Sequence, residues 1–290
     1  MGGRHMVIGT KDKWFDASLI ALLSLSCIVV IFPLLFVISA SITPYAEVMR
    51  NGGFVVIPRS VTFTAYVELF KNAEISHSLL VTLFITVVGT ILNLVLTSLL
   101  AYPLSRRNLP YRKIFLFLIL FTMLFNGGII PTYLIVKATG LMNTVWAMMI
   151  PNAIGAFHVL VIKSFFESLP EELFESAKID GAKEVRLLLQ IVIPLSIPVL
   201  LTVGLFYAVS HWNELFQAIM YITNRELLPI QVIIREIIML NDSVSDVAVS
   251  VPTLSLQMAA VVIASAPIIA VYPFIQRHFV KGMMIGSIKG

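Results

Sequence analysis

Long apolar runs alternate along this chain with short polar connections, and six of the runs are long enough to cross a bilayer. A crossing helix needs about 20 mostly apolar residues, and the stretches 17–40, 77–102, 114–136, 142–162, 191–212 and 257–276 meet that length. The second is the cleanest, with no acidic or basic side chain except His77 at its edge before Arg106 is reached. The pattern predicts an all-α integral membrane protein with six transmembrane helices. The first run ends in Ser39-Ala40-Ser41, which has the form of a signal-peptidase site. Its apolar length exceeds the roughly 7–15 residues of a signal peptide, so it reads as a retained span. Pro33, Pro103, Pro131, Pro151, Pro194, Pro198 and Pro267 lie in or near these runs. Each interior proline removes a helix hydrogen bond and predicts a kink.

Composition sharpens this picture. Of 290 residues, 58% are hydrophobic and 12% charged, against about 45–50% and 25% in soluble chains. A soluble surface lacks polar cover at that ratio, whereas lipid removes the limit. The net charge of +4 raises the question of nucleic acid, but the basic residues form no patch. They sort by topology instead. Fourteen of the 20 Lys and Arg residues fall before the first run, after the last, and in the connections 103–113 and 163–190. By the positive-inside rule those segments are cytoplasmic, with both termini inside. Cys27, the single cysteine, has no partner for a disulfide.

The connection after the fourth run breaks the pattern. Ten charged residues crowd into 163–186, too many for lipid, yet the segment is rich in helix formers. Ser168-Leu169-Pro170-Glu171 reads as a capping box, with Ser168 as N-cap. The spacing predicts a helix from about 169 that stops at Gly181, with Glu171, Glu172 and Glu175 complementing the positive end of its dipole. Leu173, Phe174 and Ala177 share one face. That face either packs back on its own bundle or enters a groove on another subunit; periodicity leaves both open.

Glu175-Ser176-Ala177-Lys178-Ile179-Asp180-Gly181-Ala182, followed by Ile191-Val192-Ile193-Pro194, resembles the EAA loop of binding-protein-dependent ABC importer permeases. Glu175, Ala177, Gly181, Ile191 and Pro194 match in identity and spacing, while Ser176 and Ile193 stand where the pattern has Ala and Leu. Trp212-Asn213-Glu214 and the tail from Arg277 through Lys281-Gly282 to Lys289-Gly290 are similar to carbohydrate-type permeases of the six-span maltose-system kind. Asn126-Gly127-Gly128-Ile129-Ile130-Pro131 resembles the branch that handles acidic oligosaccharides such as alginate or pectin fragments. The resemblance covers essentially the whole chain. It implies a type I ABC importer fold in the bacterial inner membrane, with segments 1–75, 76–281 and 282–290 and a coupling loop at 167–194. It further implies a coupling helix between spans four and five that docks in a cleft of one of two ATPase subunits through Phe174, Glu175, Ala177, Lys178, Asp180, Gly181 and Ala182. Glu175 is implied to pair with an ATPase Arg or Lys, or else serves only the helix dipole. Ile191 and Pro194 complete the motif. A second permease, in a heterodimer, and an extracytoplasmic solute-binding protein are the other implied partners, with an oligosaccharide as cargo.

The remaining residues exclude more than they assign. No Gly-x-x-x-x-Gly-Lys-Ser/Thr stretch is present, so the chain does not itself cradle ATP. No predicted span carries Asp or Glu, which ion-driven pumps use, and no acid, His or Ser cluster has catalytic spacing. The chain is expected to be no enzyme and to carry no cofactor or metal. The alternatives are a permease of the same build for a non-sugar solute and a stand-alone secondary transporter, which the polar elbow argues against. Asn93, Thr122, Asn126, Asn152 and Gln257 either line the pathway or bond between helices. His211 reads as an interfacial residue. The outer segment 213–256, with an amphipathic stretch near 230–240 and an acidic one at 241–246, is expected to meet the binding protein or to pack as a lid.

Overall fold

A computed structural model describes residues 10–240 and 254–287 of the chain, with side chains described over 14–239 and 254–271. Every regular element among them is helical. Two compact units emerge, one formed by residues up to Lys71 with Ile237–Ile263, the other by Asn72–Glu236 with the residues from Ala264 on.

In the first unit, α1 (Thr10–Ser41) carries Pro33 inside it and is apolar all round. Its most apolar stretch buries nothing in the chain, as expected of a helix solvated by lipid or by a partner. Cys27 is exposed on it. The chain then turns through α2 (Tyr45–Arg50) and α3 (Thr64–Lys71). The Glu47 carboxylate accepts hydrogen bonds from Arg59 N at 2.8 Å and Ser60 Oγ at 2.6 Å, closing the intervening loop.

The second unit is built on α4 (Ala73–Ser105), 33 residues long and therefore about 50 Å from end to end. The Asn72 side chain caps it by accepting the Glu74 amide. Next come α5 (Arg112–Leu124) and α6 (Ile129–Ala138), which meet at 114°. The 142–162 run is not one helix. It folds as a 3-10 turn (Val145–Met148), a further turn, and the 12-residue α7 (Ala156–Glu167). Asn143 at φ 57° and the Pro151-Asn152 pair interrupt what hydropathy alone counts as continuous. The elbow helix α8 (Glu172–Ile179) follows.

After it the chain returns through α9 (Glu184–Leu187), a π turn (Leu188–Val192) and α10 (Ile193–Leu195), then bends by 83° into α11 (Ile197–Trp212). The π turn sits where Pro194 has no N–H to offer the Gln190 carbonyl, so the preceding turn widens. Short α12 (Phe216–Tyr221), a 3-10 turn and α13 (Ile230–Leu240) precede α14 (Leu254–Ser287), which runs on through the predicted tail boundary at 282. Among the described residues, three helices are long and apolar enough to cross a membrane, and counting each of the two bent pairs as one span raises that to five.

Packing of α4 against α11 forms the seam of this unit, and polar residues pin it. Asn93 Nδ2 lies 3.0 Å from His211 Nε2, and the Thr97 and Tyr207 hydroxyls are 2.7 Å apart. Gly89 permits the closest approach, since a Cβ there would stand 2.6 Å from the His211 ring. His211 is 5% exposed, a buried member of the seam and not the interfacial residue the sequence suggested. Asn93 bonds between helices, Thr122 bonds back to the Ile119 carbonyl on the outside of α5, and Gln257 reaches the Ile237 and Ile238 carbonyls.

Candidate functional site

The elbow and the end of α4 beneath it form the best-organised polar site in the second unit. Its helix starts later than predicted. Ser168 does not cap α8; its hydroxyl turns back to the Phe165 carbonyl at 2.7 Å and finishes α7. Pro170 lies in the turn between, and Glu171 stands at the N-cap of α8 without a side-chain capping bond.

The helix stops where the sequence said. Gly181 takes φ +76°, a left-handed conformation costly to any residue with a Cβ. Ala182 N–H donates to the Ala177 carbonyl at 2.9 Å and Gly181 N–H to the Lys178 carbonyl at 3.0 Å. This crossed pair is a Schellman closure, which satisfies carbonyls that would otherwise end the helix unpaired.

One side of α8 is anchored. Phe174 is 6% exposed and packs among Ala101, Tyr102, Phe166 and Leu188. The Arg106 guanidinium lies 3.6 Å above its ring, a cation–π contact. Phe174 is therefore an anchor of the elbow to its own bundle and not the exposed docking contact expected of it. The outward apolar side chains are Leu173 and Ile179, the latter 86% exposed.

A polar latch surrounds this anchor. Tyr102 donates to Glu184 Oε2 at 2.6 Å and accepts from Arg106 Nη2 at 2.8 Å. Lys178 Nζ reaches Glu184 Oε1 at 3.0 Å, and Arg106 stands 3.9 Å from the same carboxylate. The Tyr102 hydroxyl, chiefly, with Lys178 and Arg106, holds the Glu184 carboxyl below the usual carboxylate range against its partial desolvation. Arg112 and Lys163 both pair with Glu167, tying the start of α5 to the end of α7. The basic connections 103–113 and 163–186, assigned to one side of the membrane by charge counting, thus meet at one end of α4. Arg225 pairs with Glu74 and Glu236 at the other end.

Of the remaining motif residues, Glu175 is exposed and borders a cleft of about 960 Å³ between α8 and the end of α4. Ala177 and Ala182 are half-buried, and Asp180 is the exposed C-cap. Ile191 lies in the π turn and Pro194 in α10. Tyr102, Arg106 and Glu184 escaped sequence reasoning as site residues; the Lys178/Glu184 spacing across Gly181 is a signal for Glu184 alone, and Tyr102 and Arg106 meet it only in the fold. The acidic stretch 241–246 and the tail residue Lys289 lie outside the described residues, and so do the side chains at Arg277 and Lys281. No group of three or more potential metal ligands occurs among the described residues.

Comparison with known proteins gives this geometry a context. The family described as "Binding-protein-dependent transport system inner membrane component" matches residues 95–285. The polygalacturonan/rhamnogalacturonan transport system permease protein YtcP of Bacillus subtilis (strain 168) is 41% identical over 286 residues, 97% of this chain and 100% of its own length. Protein LplC of the same organism is 42% identical over 292 residues, 99% of each chain. Among solved structures, a chain of a bacterial ABC transporter involved in the import of the acidic polysaccharide alginate superposes with a TM-score of 0.87. It shares 30% identity over 93% of this chain and 98% of that one.

Proposed function

We infer that this chain, which belongs to the family of binding-protein-dependent transport system inner membrane components, is the permease subunit of an ABC importer for acidic oligosaccharides. As a permease it is a membrane translocation component and not an enzyme; ATP hydrolysis is the work of a separate subunit. The sugar class rests on its likeness to a polygalacturonan/rhamnogalacturonan permease and to the alginate importer chain. A non-sugar solute is the alternative within the same build.

The observation that carries the docking role is the elbow itself. It is a short helix closed by a left-handed glycine, anchored inward by Phe174 and latched by Glu184, with Glu175, Asp180 and Ile179 facing outward at one end of the bundle. A polar helix held this rigidly against the end of a membrane bundle is built to receive force. We assign it to the cleft of an ATPase, through Glu175, Ala177, Lys178, Asp180, Gly181 and Ala182. Six crossings complete the topology if the broken 145–167 segment makes the fourth, with both termini and the elbow on the cytoplasmic side. A second permease, two ATPases and an external binding protein complete the importer.

Two measurements test this. In the assembled complex, a cysteine at Glu175 should cross-link to the ATPase, and one at Leu141 should not. Failure of the ATPase to copurify, or cross-linking from Leu141 alone, overturns the docking role. Mass spectrometry of the ligand on the copurified binding protein should find uronic-acid oligosaccharides; a peptide or phosphate there overturns the sugar class.

A further inference from the structure

Between α5 and α6 the chain gives up its helix where a crossing would otherwise continue. Residues 125–128 belong to no helix, and Gly128 takes φ 88°, ψ 175°, a region open essentially to glycine alone. The Asn126 side chain accepts the Gly128 amide at 2.8 Å and fixes the turn. Among the described residues, the amides of Gly127, Ile129 and Ile130 donate to no protein acceptor. Those of Ile129 and Ile130 open the ten-residue α6, where the helix dipole presents its positive end.

Free backbone donors do not face lipid; at membrane depth they line a cavity or are covered by protein. A cavity is present. About 330 Å³ opens at the break, lined among others by Asn126, Thr132, Asn152, Phe216, Gln217 and Tyr221. Its size suits one sugar ring, and Phe216 and Tyr221 bring aromatic faces of the kind that pack on ring C–H groups. No acidic side chain lines it. The nearest acid in sequence, Glu214, turns its carboxylate to the Gln217 backbone amide at 3.0 Å.

Gln217 is the telling residue. It is 8% exposed, and its buried side-chain oxygen has no hydrogen-bond partner. Gln217 stands in the wall of that cavity; a buried acceptor left open there is a place for a donor, and a sugar hydroxyl supplies one.

We propose that the break at 125–130 is a subsite for one uronic-acid unit of the migrating oligosaccharide, with the Ile129 amide at the opening of α6 receiving its carboxylate and Gln217 a hydroxyl. This deepens the importer reading and rests on it.

The test uses the whole importer in proteoliposomes with its binding protein, and two probes: galacturonic-acid trisaccharide and its methyl ester. Asn126→Asp keeps the acceptor that fixes the turn but sets a negative charge beside the free amides. It should lower uptake of the free acid about tenfold relative to the ester. Gln217→Glu should do the same and decides the matter if the first variant does not assemble. An acid-to-ester ratio within twofold of wild type in an assembled variant overturns the subsite and leaves the importer standing. Uptake of neither probe by the wild type overturns the oligosaccharide reading and takes the subsite with it.

Discussion

Replacing Gly181 separates the cost of a backbone shape from the cost of a partner. At φ +76° an alanine pays about 1–2 kcal/mol for the left-handed conformation, and this falls on the Schellman closure that ends α8. The side chain itself pays nothing further in the chain alone, because a Cβ at this position meets no atom within 4 Å. Tryptophan carries the same backbone penalty and points its bulk into the same open space. Gly181→Ala and Gly181→Trp should therefore destabilise the isolated elbow equally. They diverge only if another subunit fills that space. With the importer in proteoliposomes, the alanine variant should retain ATPase copurification and lose uptake by about fivefold, in keeping with roughly 1 kcal/mol. The tryptophan variant should insert normally but lose at least about tenfold more, with ATP use no longer tied to uptake. Gly181→Asn, which tolerates the left-handed region better, should fall between wild type and alanine. If the tryptophan and alanine variants match in uptake and copurification, no partner lies against the elbow and it does not dock.

Other consequences concern the latch and the seam. Tyr102→Phe removes the donor to Glu184 and the acceptor of Arg106; uptake per ATP should fall about two- to twelvefold, as one net hydrogen bond of roughly 0.5–1.5 kcal/mol implies. Because the folded Glu184 carboxyl is held low, its contribution is complete above the ordinary carboxylate range and is lost as pH falls through the folded value. Hydrogen-exchange protection of the α8 amides should therefore drop on acidification into the carboxylate range, and Glu184→Gln should abolish that dependence. Gly89→Ala puts a Cβ 2.6 Å from a His211 ring that Asn93 already holds. It should cost about 1–3 kcal/mol as overpacking, read as a lowered thermal midpoint, and Gly89→Ala with His211→Ala should recover part of the loss.

Local chemistry explains what the sequence disclosed and what it hid. The end of α8 was readable because a left-handed position leaves almost no choice but glycine, and Gly181 stood at the right distance. Its start was misread because a serine hydroxyl has two local partners. Ser168 turns back to the Phe165 carbonyl instead of forward to an amide, and Pro170 delays the first turn. The run at 142–162 passed a count of apolar residues, but counting does not register Asn143 at φ 57° or the turn at Pro151. Phe174 lay on the predicted apolar face; whether that face looked inward was settled only by Arg106, which meets it from 68 positions away in sequence. His211 and Asn93 are 118 residues apart, a separation at which periodicity carries no information.

If an ATPase does grip the elbow, the bonding says how its push would enter the bundle. Two routes lead away from α8. One follows the chain through α9 into α11, and it is soft: a π turn, two prolines and an 83° bend at Ser196 intervene within eleven residues. The other crosses space to α4, and it is stiff. Phe174 is caged by Tyr102 and Phe166, Arg106 is stacked on its ring, and Glu184 is held by Tyr102 from α4 and Lys178 from α8. A force applied there would take the stiffer path. It passes into the lower end of a 33-residue helix and reaches α11 sideways, through Thr97–Tyr207 and Asn93–His211. The helix that follows the elbow in sequence is thus joined to it by bent backbone, and α4, some 70 residues upstream, by side-chain bonds.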